Sequence, residues 1–271
     1  MLQQARKLLK TEYEKCLQTV KGDDYYTGFA NEKWIHSWQV FGSGNYIIKH
    51  EPWFAMQNAD LIEKARTAVL LHDVSRFEEI ARKFLRQEKI DHGERGYQKL
   101  KEMPEYDECL VAFAIKHHGH PKERFYEDSE FTAIGDKGLR DKVEHIFWLI
   151  RDADKIANFN MVCYQREKYM SLFIPKPDEL KSNKRIISPE VVKEFYQCKT
   201  VDYGLRQTLA DYQTAFVSWF FDLYYKTSVT FCRKLHLINI MFAMLAECHQ
   251  DQQLNRDMQE ALETYFDNHF A

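Results

Sequence analysis

A histidine and an aspartate at the end of a predicted helix are the first residues in this sequence that could do chemistry. Leu61, Ala65 and Ala68 recur at helical spacing, and the next position on their face is His72, directly followed by Asp73. An inward-facing stripe therefore ends in two side chains that can bind a metal ion. The pair taken alone is equally compatible with a core histidine hydrogen-bonded to a carboxylate, because a buried polar group needs a partner.

Four further segments each place a histidine or an aspartate in a comparable setting. They are His36 between two tryptophans, His92 at a predicted helix start, His118 on a face with Leu110 and Ala114, and Asp154 on a face with Phe147 and Ile150. Each has an ordinary explanation, such as an exposed side chain, a helix cap or a solvated ion pair. Together, four histidines and two aspartates on apolar faces indicate a metal site inside a helical bundle. Imidazole-rich coordination favours iron, manganese, nickel or zinc over an all-oxygen cage.

Composition narrows the class of protein. The 271 residues carry 38 basic and 41 acidic side chains, and a net charge of −3 gives no strong nucleic-acid signal. The six cysteines form no C-x-x-C pair, which fits a reducing cytoplasm and argues against a thiolate zinc site. We expect no signal peptide, because the N-terminus lacks an apolar segment. We expect no membrane span either, because the longest apolar stretch, residues 237–245, is shorter than the about 20 residues required.

The elements that must position these side chains are predicted to be helices throughout. Only ten glycines and six prolines interrupt the chain, and strand-like alternation is scarce, so we predict an all-α fold. Helices are expected at residues 2–20, from near Asn31 to Phe41, and at 58–72, 77–86, 92–101, 105–118, 137–169, 189–198, 203–226, 228–248 and 251–269. Residues 22–28 are predicted to form a turn, and residues 122–137 a loop with short helical pieces.

Two features of this helical pattern concern glycine and the domain boundary. Glycines 42 and 44 should end or kink the second helix, since each weakens a helix by roughly 1 kcal/mol, unless close packing explains them. Gly96, one turn after His92, should let a neighbouring helix or a substrate approach. The polar, turn-rich stretch at residues 175–185 is the best boundary, and it divides a metal-binding domain (1–175) from a C-terminal helical extension (176–271).

Four local strings in this order resemble the HD-domain superfamily of metal-dependent phosphohydrolases. They are LLHDVSRF at 70–77, Asp91-His92 followed by Gly96, AIKHH at 114–118, and RDADK at 151–155. The resemblance covers roughly residues 30–160 and is strongest to a bacterial subgroup of HD hydrolases of the two-metal type. No Gly-Tyr-Pro follows His118, so the chain does not resemble the HD-GYP cyclic-di-GMP phosphodiesterases. Ser75 stands where relatives often carry glycine.

The resemblance implies a set of ligands and catalytic groups. It implies that the shared metal is held by His36, His72, Asp73 and Asp154, and that His92 and His118 are the additional ligands of a two-metal centre. Asp73 would bridge the two ions, and His117 is the alternative to His118. Arg76 and Lys155 resemble residues that contact a phosphate beside the metals.

The resemblance also implies a function. We expect a phosphohydrolase or phosphodiesterase that acts on a nucleotide or another small phosphoester through a metal-activated water. Two divalent transition metal ions (Mn, Fe, Ni, Co or Zn, with Mg admissible) would serve as cofactors. The alternatives are an HD-fold diiron oxygenase and a nucleotide-sensing module without turnover. The expected partner is a small phosphorylated molecule, with no membrane, and homo-oligomerisation is left open.

The ligand assignment generates a first prediction. The double substitution His72→Ala, Asp73→Ala removes two ligands of the shared site, so the purified variant should hold no ion there. Metal content per chain after loading with Mn²⁺ or Co²⁺ measures this. Full occupancy in the double variant would contradict the assignment.

Overall fold

The protein consists of helices arranged in two compact units. The computed structural model describes residues 1–106, 109–166 and 180–270. The units are Met1–Asp154 and Lys155–Ala271. No strand occurs within the described residues, and the predicted all-α class is confirmed. The predicted boundary between residues 175 and 176 lies outside the described residues and stays a prediction.

The first unit contains ten α-helices among its described residues. They are α1 (Leu2–Thr19), α2 (Asp24–His50), α3 (Pro52–Ala55), α4 (Ala59–Leu71), α5 (Arg76–Arg86), α6 (His92–Lys101), α7 (Ala114–Lys116), α8 (Lys122–Glu127), α9 (Ser129–Thr132) and α10 (Lys137–Tyr164), whose residues from Lys155 onward belong to the second unit. Helices α1, α2, α4 and α5 pack on one another around buried Leu9, Val40, Ile47 and Ala65. This packing places the C-terminal end of α4, with His72 and Asp73, inside the unit.

The second unit packs its helices around buried phenylalanines. Its further helices are α11 (Pro189–Phe195), α12 (Leu209–Val217), α13 (Lys226–Lys234), α14 (Leu237–Cys248) and α15 (Gln252–His269), with 3₁₀ turns at Tyr203–Leu205 and Ser218–Asp222. The single helix predicted at 228–248 is wrong, because His236 adopts the left-handed conformation (φ 53°) that ends one helix before the next begins. The helix predicted at 203–226 is likewise wrong, because Thr208 and Asp211 form a capping box that starts α12 at Leu209.

No single helix among the described residues is long and apolar enough to cross a membrane. Helices α13 and α14 meet that criterion only as a pair, and they are bent by 65° relative to each other.

Helix α2 is longer than the sequence pattern indicated. It begins at Asp24, not near Asn31, because the Asp23 side chain accepts a hydrogen bond from the Tyr26 backbone N–H at 2.9 Å and caps the helix. The predicted turn at 22–28 is therefore wrong beyond residue 23. The helix also continues through Gly42-Ser43-Gly44 to His50 and does not end at Phe41.

Close packing explains one of those glycines. A Cβ atom on Gly44 would lie 2.7 Å from Cγ1 of Val69 in α4, whereas one on Gly42 would meet nothing within 4 Å. Gly44 thus lets α2 approach α4, the helix that carries the His-Asp pair. The alternative that the sequence left open for this stretch, a close packing partner, is the correct one.

The segment before His118 is distorted. Instead of the helix predicted at 105–118, a π-helical turn spans Cys109–Phe113 and leads into α7; residues 107–108 lie outside the described residues. Isolated π-helical turns are common near functional sites.

The contact at Gly44 generates a second prediction. Gly44→Ala should destabilise the protein by about 1–3 kcal/mol, because the new methyl group overpacks the buried contact with Val69. Gly42→Ala is the matched control and should be neutral or stabilising by up to about 1 kcal/mol, since alanine favours the helix. Urea denaturation of both variants measures the difference. Equal stabilities would show that the close approach carries no constraint.

Candidate metal centre

The Asp73 carboxylate lies at the centre of a cluster of histidines. It belongs to two groups of three side chains whose ligand atoms all lie within 4.8 Å of one another: the first triad, His36, His72 and Asp73, and the second triad, Asp73, His92 and His118. Asp73 and His72 are buried, as are His36 and His118. The structure therefore brings together five of the six predicted ligands around one shared carboxylate.

Two of the histidines are oriented by backbone carbonyl groups. Nδ1 of His72 lies 2.9 Å from the carbonyl oxygen of Val69, and Nδ1 of His118 lies 2.8 Å from that of Ile115. A carbonyl oxygen only accepts hydrogen bonds, so each Nδ1 carries the proton and each neutral ring has its lone pair on Nε2. Such second contacts orient the histidine ligands of metal sites.

The atoms of the second triad have the spacing of ligands around one ion. Nε2 of His92 lies 3.3 Å from Nε2 of His118 and 3.3 Å from Oδ1 of Asp73, and the Asp73–His118 distance is 3.5 Å. Ligands on a tetrahedral ion with bonds of about 2.0–2.1 Å are about 3.4 Å apart. Oδ1 of Asp73 is buried and has no hydrogen-bond partner among the described residues. These residues fit a divalent transition metal ion.

The first triad also fits an ion. Nε2 of His72 is fully buried and has no hydrogen-bond partner in the described part of the chain, which is costly unless a cation is bound. Nε2 of His36 lies 2.8 Å from Oδ1 of Asp154, the sixth predicted ligand. Burial would raise the pKa of Asp154, but the hydrogen bond to His36 together with the charges of His36 and His72 lowers it below the ordinary value.

The protonation states of the cluster suit metal binding. Burial lowers the pKa of His72 to about 4, against the attraction of Asp73. Burial alone would raise the pKa of Asp73, but the cations Arg76 and Lys33 hold it well below its ordinary range. Ligands must be deprotonated to bind a metal, and at neutral pH both of these groups are.

The structure distinguishes His118 from its neighbour His117. His118 points to Asp73, whereas Nε2 of His117 lies 2.7 Å from Oδ2 of Asp128, away from both triads. The two histidines are adjacent in sequence and face different partners, so His118 is the one placed to bind an ion.

The glycine that permits close approach is Gly93, not Gly96. A Cβ atom on Gly93 would lie 2.5 Å from the carbonyl oxygen of Lys116, while one on Gly96 would make ordinary contacts of 3.5 Å or more. The expectation for Gly96 was therefore wrong. Gly93 allows the start of α6, which carries His92, to pack against the chain leading to His118.

The two predicted phosphate-binding cations have other partners. Arg76 donates from Nη2 to Nε2 of His92 at 2.8 Å and from Nη1 to Oε2 of Glu79 at 2.5 Å. Lys155 belongs to the second unit, where its Nζ lies 2.8 Å from Oδ2 of Asp222. The roles of both residues toward a phosphate stay predictions.

Sequence reasoning missed two groups near the cluster. Lys33 lies 3.5 Å from Oδ2 of Asp73, and its position one turn before His36 on α2 could have revealed it. His120, paired with Asp91 at 2.8 Å, had no helical spacing to reveal it.

A cleft of about 460 Å³ opens beside the second triad. Its lining consists of Arg76, Glu79, Lys89, Ile90, Asp91, His92, Gly93, Gly119 and His120. Eight of these nine are polar or glycine, so the cleft suits a small, polar molecule.

Comparison with known families identifies the class of protein. The family model of the HD domain matches residues 34–159, so this chain carries an HD domain over those residues, as predicted. The matched segment includes all six predicted ligands. Members of the HD-domain superfamily are generally metal-dependent phosphohydrolases. No curated protein and no solved structure matches the chain.

The different surroundings of the two adjacent histidines generate a third prediction. His118→Ala should remove one of two bound ions, because it deletes a ligand of the second triad only. His117→Ala should keep both ions and cost about 1 kcal/mol of stability through loss of its hydrogen bond to Asp128. Ion counting after loading with excess Co²⁺, with thermal unfolding alongside, separates the two. Ion loss in His117→Ala alone would reverse the assignment.

Proposed function

We propose that this protein is a metal-dependent phosphohydrolase or phosphodiesterase that acts on a small phosphoester. One observation carries the proposal: two triads of metal-competent side chains share the buried carboxylate of Asp73. A shared carboxylate would hold two ions close together, and two such ions can stabilise both the attacking and the leaving oxygen of an in-line displacement at phosphorus.

The residues present fit two divalent ions. His36, His72, Asp73 and Asp154 would hold the first, and Asp73 with His92 and His118 the second. When bound, such ions polarise phosphate oxygens and lower the pKa of a coordinated water.

The side chains themselves hold and orient the reacting groups. The Val69 and Ile115 carbonyl groups fix the rings of His72 and His118, so that the ligand atoms are aligned before any ion arrives. Arg76 lines the cleft, and its planar guanidinium matches two oxygens of a phosphate. It is the group best placed to stabilise charge that develops there.

The cleft supports a compact substrate. Its volume falls in the range of small-molecule sites, and Arg76 and Lys89 supply positive charge at its wall. Among the described residues, its lining offers no phenylalanine, tyrosine or tryptophan ring on which a nucleobase could stack. We therefore infer that a phosphorylated sugar or another hydroxyl-rich phosphoester is a candidate substrate beside nucleotides.

The cellular setting is part of the proposal. All six cysteines are free thiols in the described part of the chain, which supports a reducing, cytoplasmic compartment. Membership of the bacterial subgroup of HD hydrolases is likewise proposed, on the strength of the strings at 70–77 and 114–118.

The proposal generates a fourth prediction. Metal-loaded protein should release phosphate, or cleave a diester, in a screen of sugar phosphates, nucleoside monophosphates and cyclic dinucleotides with Mn²⁺, Co²⁺, Ni²⁺, Fe²⁺ or Mg²⁺. Loss of a group that only orients a metal ligand typically costs about 10–100-fold in activity. His36→Ala removes a predicted ligand itself, so it should lower turnover by more than that. His145→Gln is the matched control, because His145 stacks on Trp53 with ring centroids 3.8 Å apart and belongs to neither triad.

Three outcomes of this screen differ in meaning. Phosphate release that His36→Ala abolishes and His145→Gln spares supports the proposal. Oxygen consumption by Fe²⁺-loaded protein without phosphate release would support a diiron oxygenase instead. Stabilisation by a nucleotide without any product would support a sensing module.

A further inference from the structure

The guanidinium group of Arg76 lies against the second triad. Nη2 is 2.8 Å from Nε2 of His92, and Nε is 3.6 Å from Oδ1 of Asp73. These are two of the three atoms that a second ion needs. The positive charge of the side chain therefore already lies where the positive charge of an ion would be bound.

The contact between Arg76 and His92 excludes a metal ion from the same nitrogen. A guanidinium has only donors, so Nε2 of His92 accepts the hydrogen bond with its one lone pair. A metal ion requires the same lone pair. His92 can therefore bind Arg76 or an ion through Nε2, but never both at the same time.

Neighbouring groups hold Arg76 in this position. Oε2 of Glu79 accepts from Nη1 at 2.5 Å, and Asp73 attracts the guanidinium from the other side. In the first triad, Lys33 lies 3.5 Å from Oδ2 of Asp73, but Nε2 of His72 has no hydrogen-bond partner among the described residues. The two triads thus differ at their histidines: a cation contacts Nε2 of His92 in the second triad, and none contacts Nε2 of His72 in the first.

We propose that Arg76 and the second metal ion are alternative occupants of the second triad. The inference rests on the proposed metal centre and deepens it. The chain binds one ion readily, and it binds the second only when Arg76 leaves His92. Because Arg76 also lines the cleft, a phosphate group there offers the departing guanidinium another partner. Phosphate bound in the cleft and the second ion must then each raise the affinity for the other by the same factor.

Stepwise Co²⁺ binding to the full chain tests the proposal. Equilibrium dialysis with ion counting, and calorimetric titration, give the two affinities separately. In Arg76→Met, which keeps the apolar stem, affinity for the second ion should rise by about tenfold or more, the effect of removing a competing charged hydrogen bond. Affinity for the first ion should change much less. Arg76→Gln is the second variant, to be used if Arg76→Met folds poorly. It should show the same gain in affinity for the second ion.

Two control variants separate the specific contact of Arg76 with His92 from the general effect of removing a positive charge. Lys33→Met removes a cation 3.5 Å from the same Asp73 carboxylate without touching His92, so it should not raise the affinity for the second ion as Arg76→Met does. Arg82→Met removes an arginine of α5 that is paired with Glu78, and it should leave both affinities unchanged. The double variant Arg76→Met, His92→Ala should lose the gained ion, which identifies where it binds.

The outcomes that overturn the proposal are distinct from those that overturn the metal centre. Unchanged or weaker second-ion affinity in both Arg76 variants overturns it, as does an equal gain in Lys33→Met. Absence of a second ion from every protein overturns it as well. Absence of any bound ion from every protein would instead remove the metal centre, and with it the proposed function.

Discussion

The structure of the first unit depends on the buried carboxylate of Asp73, whose negative charge has to be compensated by neighbouring groups. Asp73 is almost completely enclosed, and an isolated buried charge would be strongly unfavourable. Lys33 and Arg76 approach it from two helices, and four imidazole rings complete its surroundings. These six groups are supplied by five segments of the chain. Because the negative charge of Asp73 must be compensated, α2, α4, α5, α6 and the chain near residue 118 all pack around this side chain.

The imidazole rings are aligned in advance by short-range contacts. His72 and His118 each donate to the carbonyl group three residues earlier in the chain, so each ring is fixed by its own segment. Their lone pairs then converge on Asp73 as the segments pack. This arrangement places acceptor atoms close together, and only a cation makes their proximity favourable. In the second triad the guanidinium of Arg76 already lies close to these acceptors.

Glycine enables the segments to come this close. Gly44 removes a methyl group between α2 and α4, and Gly93 removes one between α6 and the carbonyl group of Lys116. Neither position could be selected from the sequence, since Gly42 and Gly96 have the same residue type and similar spacing. The difference lies in what each Cβ atom would meet, and that depends on a residue elsewhere in the chain.

The sequence by itself determined the all-α class and the candidate ligands, because helical periodicity and the cost of polar groups on apolar faces are local properties. It also indicated the family, through short strings in a fixed order. Only the tertiary structure decided that His118 rather than His117 reaches Asp73, and that Arg76 contacts both His92 and Glu79. The physical reason is that these choices depend on distances of a few ångströms between segments that are remote in the chain. Periodicity defines the face on which a side chain lies, and packing between elements defines what it meets there.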